Sequence, residues 1–253
     1  MTWHDLKTFR KKILCLLDLK ENISRLSKKQ IAFLKDEATL QEIDLNLPVL
    51  FNSVKVFHGC RSDNVESYYS NGLLPLDAEM GKRIAMRIFL SDRFPELSEQ
   101  DIENAAERVT GEWRHGRLYV SLDDRFLLKE GGHYLIYGSE YICAIAANLQ
   151  SIKGTDYDYQ QHLRQKGRPT VFVCQLPIDQ ITLSDRKGLV AALVGEIASD
   201  PSFKRGKSFP IDVSFLLKSK LEPTCILSHR HPRTILDPLR QMTPYSWASE
   251  KID

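Results

Sequence analysis

An α+β domain behind a helical N-terminal extension is the fold class the sequence predicts. Three observations predict it. Apolar residues recur at helical spacing over the first forty-odd positions, then give way to short alternating, β-branched runs. Those runs are interleaved with helices at irregular intervals, so no regular βαβ alternation is present and a doubly wound sheet is disfavoured. At 42% hydrophobic and 27% charged, the 253 residues have ordinary globular composition and enough apolar surface for a sizeable core.

Taken in order, residues 5–20 and 22–43 read as two helices, with Ile13, Leu16 and Leu17, then Ile23, Leu26, Ile31 and Leu34 on their apolar faces and Ser24 or Ser27 as local caps. "SVKVFHG" alternates as a strand. "SDNVESYYSNG" reads as a helix beginning at Ser62 or Asp63 and stopped by Gly72. Residues 78–113 are largely helical, and Ser98 with Asp101 three residues on forms a capping box. "GRLYVSL" (116–122) is a strand, "DDRFLLKEGG" a short helix or loop, and "YGSEYICAIAANL" a strand opened by a charged residue. "PTVFVCQLPI" (169–178) is the clearest strand, "RKGLVAALVGEIAS" a helix, and "DVSFLLKS" and "TCILSHRHP" late strands. The expected organisation is a helical extension over 1–48, one main domain over 49–240 and a tail over 241–253.

Charge and cysteine content narrow the setting. A net charge of +2 identifies no polyanion partner by itself. No run of roughly 18 apolar residues occurs, so no membrane partner is expected. The first residues lack a secretory pattern, and five scattered cysteines without CxxC spacing fit free thiols; a cytoplasmic location is expected. No P-loop, GxGxxG or GxSxG motif is present. Asp123-Asp124 reads as a helix cap before a metal site, and His229 with His231 as surface or core residues before zinc ligands.

Three polar residues stand out: His58 before Gly59 at a strand end, Tyr119 in "RLYVSL", and Glu140 in "YGSEYICAIA". Each alone has a plain structural reading. Together and in this order, "FHGCR…NGLLP", "GRLYVSLDD" and "SEYICAI" resemble the ADP-ribosyltransferases of the His-Tyr-Glu type, which include the poly(ADP-ribose) polymerases and the diphtheria-toxin-like enzymes. The resemblance covers roughly residues 54–146. It implies a split β-sandwich and use of NAD+ as co-substrate. Glu140 would stabilise an oxocarbenium-like ribose, as carboxylates do in glycoside hydrolysis. His58 would bind a ribose hydroxyl, Gly59 would admit the nicotinamide amide to the backbone, and Tyr119 would lie against the nicotinamide ring. Tyr134 or Tyr137 would supply a second ring, and Arg61 would either contact phosphate or support the strand.

Departures from the family shape the expected activity. Arginine-modifying relatives carry Arg in the first motif and Glu-x-Glu in the third; here those places hold His58 and Gly138, which speaks against arginine as target. The regulatory helical domain of the large polymerases is missing, so single transfer is expected. RNA 2′-phosphotransferases share the His-Gly motif and stay a minor alternative, because their extra arginines have no assigned match. Small bacterial members of stand-alone toxin or phage-defence type modify nucleic-acid bases. The resemblance therefore implies mono-ADP-ribosyl transfer to an intracellular macromolecule, with RNA or DNA before protein as acceptor and an antitoxin protein as a partner. The Lys/Arg-rich stretch 204–240, with Phe203, Phe209 and Phe215, fits nucleic acid by phosphate contact and stacking; buried phenylalanines under a solvated surface are the alternative. An NAD glycohydrolase and a non-enzymatic ligand- or nucleic-acid-binding domain are the competing functions.

Overall fold

The computed structural model describes residues 6–19, 26–109, 116–199 and 210–247. Within these the chain is mixed α and β, as expected. Backbone contacts divide it into two compact units: the first takes residues 1–58, 119–126 and 173–217, the second 59–118, 127–172 and 218–253.

In the first unit, α1 (Leu6–Leu16), α2 (Lys28–Leu34) and α3 (Glu37–Leu50) pack with α11 (Leu183–Ser199). The single helix expected over 22–43 is broken. Ser27 and Gln30 form a reciprocal capping box for α2, and Asp36 accepts the Ala38 N–H to start α3. Competing caps end one helix and begin the next. Ile23 and Ser24 lie outside the described residues. Phe9, Ile13, Leu34, Ile43, Leu47, Leu189 and Leu193 are buried. The Asp44 carboxylate, 2% exposed, accepts from Arg186 Nε at 2.6 Å, tying α3 to α11. The helices expected as an extension therefore belong to the same compact unit as residues 173–217.

In the second unit, α4 (Glu66–Asn71), α5 (Ala78–Phe89), α6 (Glu99–Glu107), α7 (Asp124–Leu128), α8 (Gly132–Ile136), α9 (Glu140–Lys153) and α10 (Tyr159–Leu163) follow in chain order, with α7 beginning in the first unit. The capping box of Ser98 and Asp101 is present. Helix α4 starts later than expected: Ser62 lies in a strand, and the Asn64 side chain accepts the Ser67 N–H in the turn before the helix. Gly72 ends it at φ 81°, where a side chain would strike the Leu221 carbonyl. Helix α9 packs against α5, α6 and α10. An aromatic cluster of Phe89, Phe94, Tyr159 and His162 fills the space beside them.

The strands are β1 (Ser53–Ser62), β2 (Leu118–Ser121), β3 (Arg168–Pro177), β4 (Ser214–Leu217) and β5 (Ile226–Arg230), hydrogen-bonded in the order β4-β2-β1-β3-β5. β1 and β2 are antiparallel, with Phe57 opposite Ser121. A separate ribbon joins β6 (Thr234–Asp237) to β7 (Thr243–Ser246), so the segment expected as a tail from residue 241 carries a strand.

Candidate functional site

β1 brings His58 to its neighbour β2. The Nδ1–H of His58 donates to the backbone carbonyl of Tyr119 at 2.9 Å. A carbonyl can only accept, so this bond fixes the proton on Nδ1. Desolvation lowers the imidazole pKa below its ordinary value, and the Tyr119 carbonyl offsets part of that. His58 is thus a neutral imidazole whose Nε2 carries a lone pair, suited to accept from a hydroxyl. Along β2, Leu118 and Val120 are buried while Tyr119 is 43% exposed, as strand alternation requires. The tyrosine is a surface ring and not a core residue.

Glu140 sits in a different setting from the one expected. It is the first residue of helix α9, not the opening of a strand. Ser139 is the N-cap and its side chain accepts the Ile142 N–H, while Gly154 ends the helix in the left-handed conformation. Ile142, Ile145, Ala146 and Leu149 are buried at helical spacing, so the apolar run that resembled a strand is the inner face of a helix. A carboxylate in the first turn is favoured by the helix dipole. Tyr134 Oη donates to Glu140 Oε1 at 3.0 Å, and His133 Nε2 stands 3.5 Å from the same oxygen. The His133 and Tyr134 rings lie 4.1 Å apart. Glu140 keeps 38% of its side chain exposed.

Tyr134 and Tyr137 now separate. Tyr137 is 3% exposed and donates to the buried Asp237 carboxylate at 2.6 Å. Burial, with that carboxylate beside it, pushes its phenol up to about 12. Tyr137 is a core residue, whereas Tyr134 is half-buried.

The Arg61 guanidinium is engaged within the fold. It donates to the carbonyls of Lys166, Arg164 and Leu135, the last at 3.2 Å, and reaches Tyr245 Oη at 3.4 Å. The fork binds three peptide carbonyls and fixes the turn after α10 to β1. Gly59 sits close to two leucine side chains. A Cβ there would come within 3.3 Å of Leu127 and Leu135, so the missing side chain makes room for these leucines.

The remaining candidates resolve as structural parts. Asp123 is fully buried and accepts from Arg125 and from the Arg125 and Ile211 N–H groups, capping α7. Among the described residues no cluster of three or more His, Cys, Asp or Glu side chains could hold a metal. Phe215 is fully buried in β4, so it presents no ring to nucleic acid; Phe203 and Phe209 lie outside the described residues. All five cysteines are free thiols, and burial pushes Cys60 and Cys143 up to about 12. No described helix is long and apolar enough to cross a membrane.

Sequence reasoning missed His133. Its signal was local: it precedes Tyr134 and lies seven residues before Glu140, two helical turns in a continuous helix, but here spanning the end of α8 and the start of α9. No family model, no curated protein and no solved structure matches this chain.

Proposed function

We propose that the protein is an NAD-dependent mono-ADP-ribosyltransferase whose acceptor is a nucleic acid. The observation that carries the reading is the locked tautomer of His58. A neutral imidazole, held at Nδ1 by the Tyr119 carbonyl, offers one directional acceptor to a ribose hydroxyl. Tyr119 supplies an exposed ring for nicotinamide, a contact contributing about 0.5–1.5 kcal/mol beyond its area. NAD supplies a ribose C1′ that becomes cationic as its bond to the nicotinamide nitrogen breaks, the electron pair leaving with nicotinamide. Glu140, held in place by Tyr134 and His133, is the anion that stabilises this charge; removal of such stabilisation costs roughly 3–4 kcal/mol of barrier. The acceptor's nitrogen or oxygen then bonds to C1′ and loses its proton to solvent. Arg61 and Gly59 take no part in this scheme.

The helical setting of Glu140 favours a second reading, a ligand- or nucleic-acid-binding domain without turnover. Tandem mass spectrometry of RNA, DNA and protein from cells expressing the chain separates the two. One ADP-ribose added to nucleic acid by wild type but not by Glu140→Gln supports transfer. Free ADP-ribose alone means hydrolysis. Unchanged NAD and unmodified macromolecules leave the binding domain.

A further inference from the structure

The edge of the five-stranded sheet carries a line of rings that the transfer chemistry does not use. β5 is the last strand in the hydrogen-bonding order, and it presents His229 and, just past its end, His231 on one face. Tyr69 of α4 stands beside His229, with ring centroids 5.7 Å apart and the phenol oxygen 2.9 Å from His229 Nδ1. His229 and His231 are 5.3 Å apart, and His231 is 6.1 Å from Trp247. The exposed Arg168 guanidinium lies 5.8 Å over the Trp247 ring.

Three of the four rings are anchored. Tyr69 and His229 both rest on Phe172, which is fully buried in β3. His231 Nδ1 donates to the Pro169 carbonyl at 2.9 Å. At Trp247 the backbone N–H donates to the Arg233 carbonyl at 3.0 Å, which fixes the main chain that carries the ring. Anchored rings lose little conformational freedom when something stacks on them. His229 is exposed, and His231 and Trp247 are half-buried, so the strip is accessible. Arg233, whose carbonyl accepts the Trp247 N–H, is exposed beside it. Aromatic faces beside arginines match the two demands of a single strand: bases need rings to stack on, and phosphates need cations.

We propose that Tyr69, His229, His231, Trp247 and Arg168 form a docking strip for single-stranded nucleic acid. For the meaning of the bound strand, as acceptor, the proposal rests on the transfer reading; for the binding itself it does not. The strip is distinct from the basic stretch with Phe203, Phe209 and Phe215 expected from sequence, since it draws its rings from α4, β5 and the end of β7.

The test is fluorescence anisotropy of labelled 20-nucleotide single-stranded DNA and RNA, and of duplex DNA, with the intact chain and no NAD. Single strands should bind more tightly than duplex, because a duplex hides its base faces. Trp247→Ala and His229→Ala should each weaken binding by about tenfold, and Arg168→Gln should reduce the slope of log affinity against log salt by about 0.7, one phosphate contact. Circular dichroism and melting temperature should match wild type, because these side chains lie at the surface. Equal binding of duplex and single strand, absence of oligonucleotide binding, or wild-type affinity in Trp247→Ala combined with His229→Ala overturns the strip. NAD turnover without oligonucleotide binding sinks the strip alone; oligonucleotide binding without turnover sinks the transfer reading alone.

Discussion

At the scale of single residues, position in the chain revealed which side chains were unusual but not what they do. His58 and Tyr119 stood out in the sequence only through the order of three motifs, since each alone has a plain structural reading. Arg61 was not legible in its role. It follows His58 by three positions in a motif rich in polar groups, and only the folded chain shows its fork spent on peptide carbonyls. Lysine keeps the charge but lacks the planar fork, leaving at least one of these carbonyls unsatisfied. Arg61→Lys should therefore destabilise the protein by roughly 2–3 kcal/mol, measured by urea denaturation. A phosphate-binding role would instead leave stability unchanged and raise the KM for NAD. Tyr137 follows the same logic: its bond to Asp237 depends on a partner 100 residues away, which no local pattern signals.

Among the elements, most strands and helices were legible, and the exceptions have physical causes. Helix α9 was the largest miss. "YICAIA" is β-branched and apolar enough to resemble a strand, yet Ser139 before it and Gly154 after it are helix caps, and its buried residues follow a 3.6 period. Two-sided burial, against α5, α6 and α10, masked that period. The β6–β7 ribbon was missed because its connection contains Pro238 and two left-handed non-glycine residues, Gln241 and Met242, in place of a recognisable hairpin turn. Two glycines make contrasting predictions. In Gly132→Ala the new Cβ would stand 1.9 Å from the Leu236 carbonyl, so α8 must shift away from β6; the melting temperature should fall steeply. Gly188 lies inside α11 with nothing within 4 Å of a Cβ. Gly188→Ala should stabilise by about 0.5–1 kcal/mol, because alanine loses less conformational freedom in a helix. Thermal melts of both variants check the pair.

Across the whole molecule, acid should be more damaging than charge balance alone suggests. His162 is 3% exposed, lies between Phe89 and Phe94, and neither ring nitrogen has a hydrogen-bond partner among the described residues. Burial, with Lys166 and Arg93 nearby, lowers it to about 4. His58 is lowered too. A histidine depressed in the folded state binds its proton first in the unfolded chain. Stability is therefore complete above the ordinary imidazole value of about 6.5 and is lost as pH falls toward 4. His162 alone accounts for up to about 3 kcal/mol of that loss. Denaturation at pH 7 and pH 4.5 should show the decline, and His162→Phe should flatten much of it. An equal slope in that variant would place the acid sensitivity elsewhere.

The most direct test of the functional account is nicotinamide release from NAD by the purified chain in the presence of single-stranded nucleic acid, compared across wild type, His58→Ala, Tyr119→Ala and Glu140→Gln. The account predicts release by wild type and a loss of about a hundredfold or more in Glu140→Gln, with an unchanged melting temperature. His58→Ala and Tyr119→Ala should lose activity chiefly through weaker NAD binding. No release by wild type, or a wild-type rate in Glu140→Gln, would contradict it.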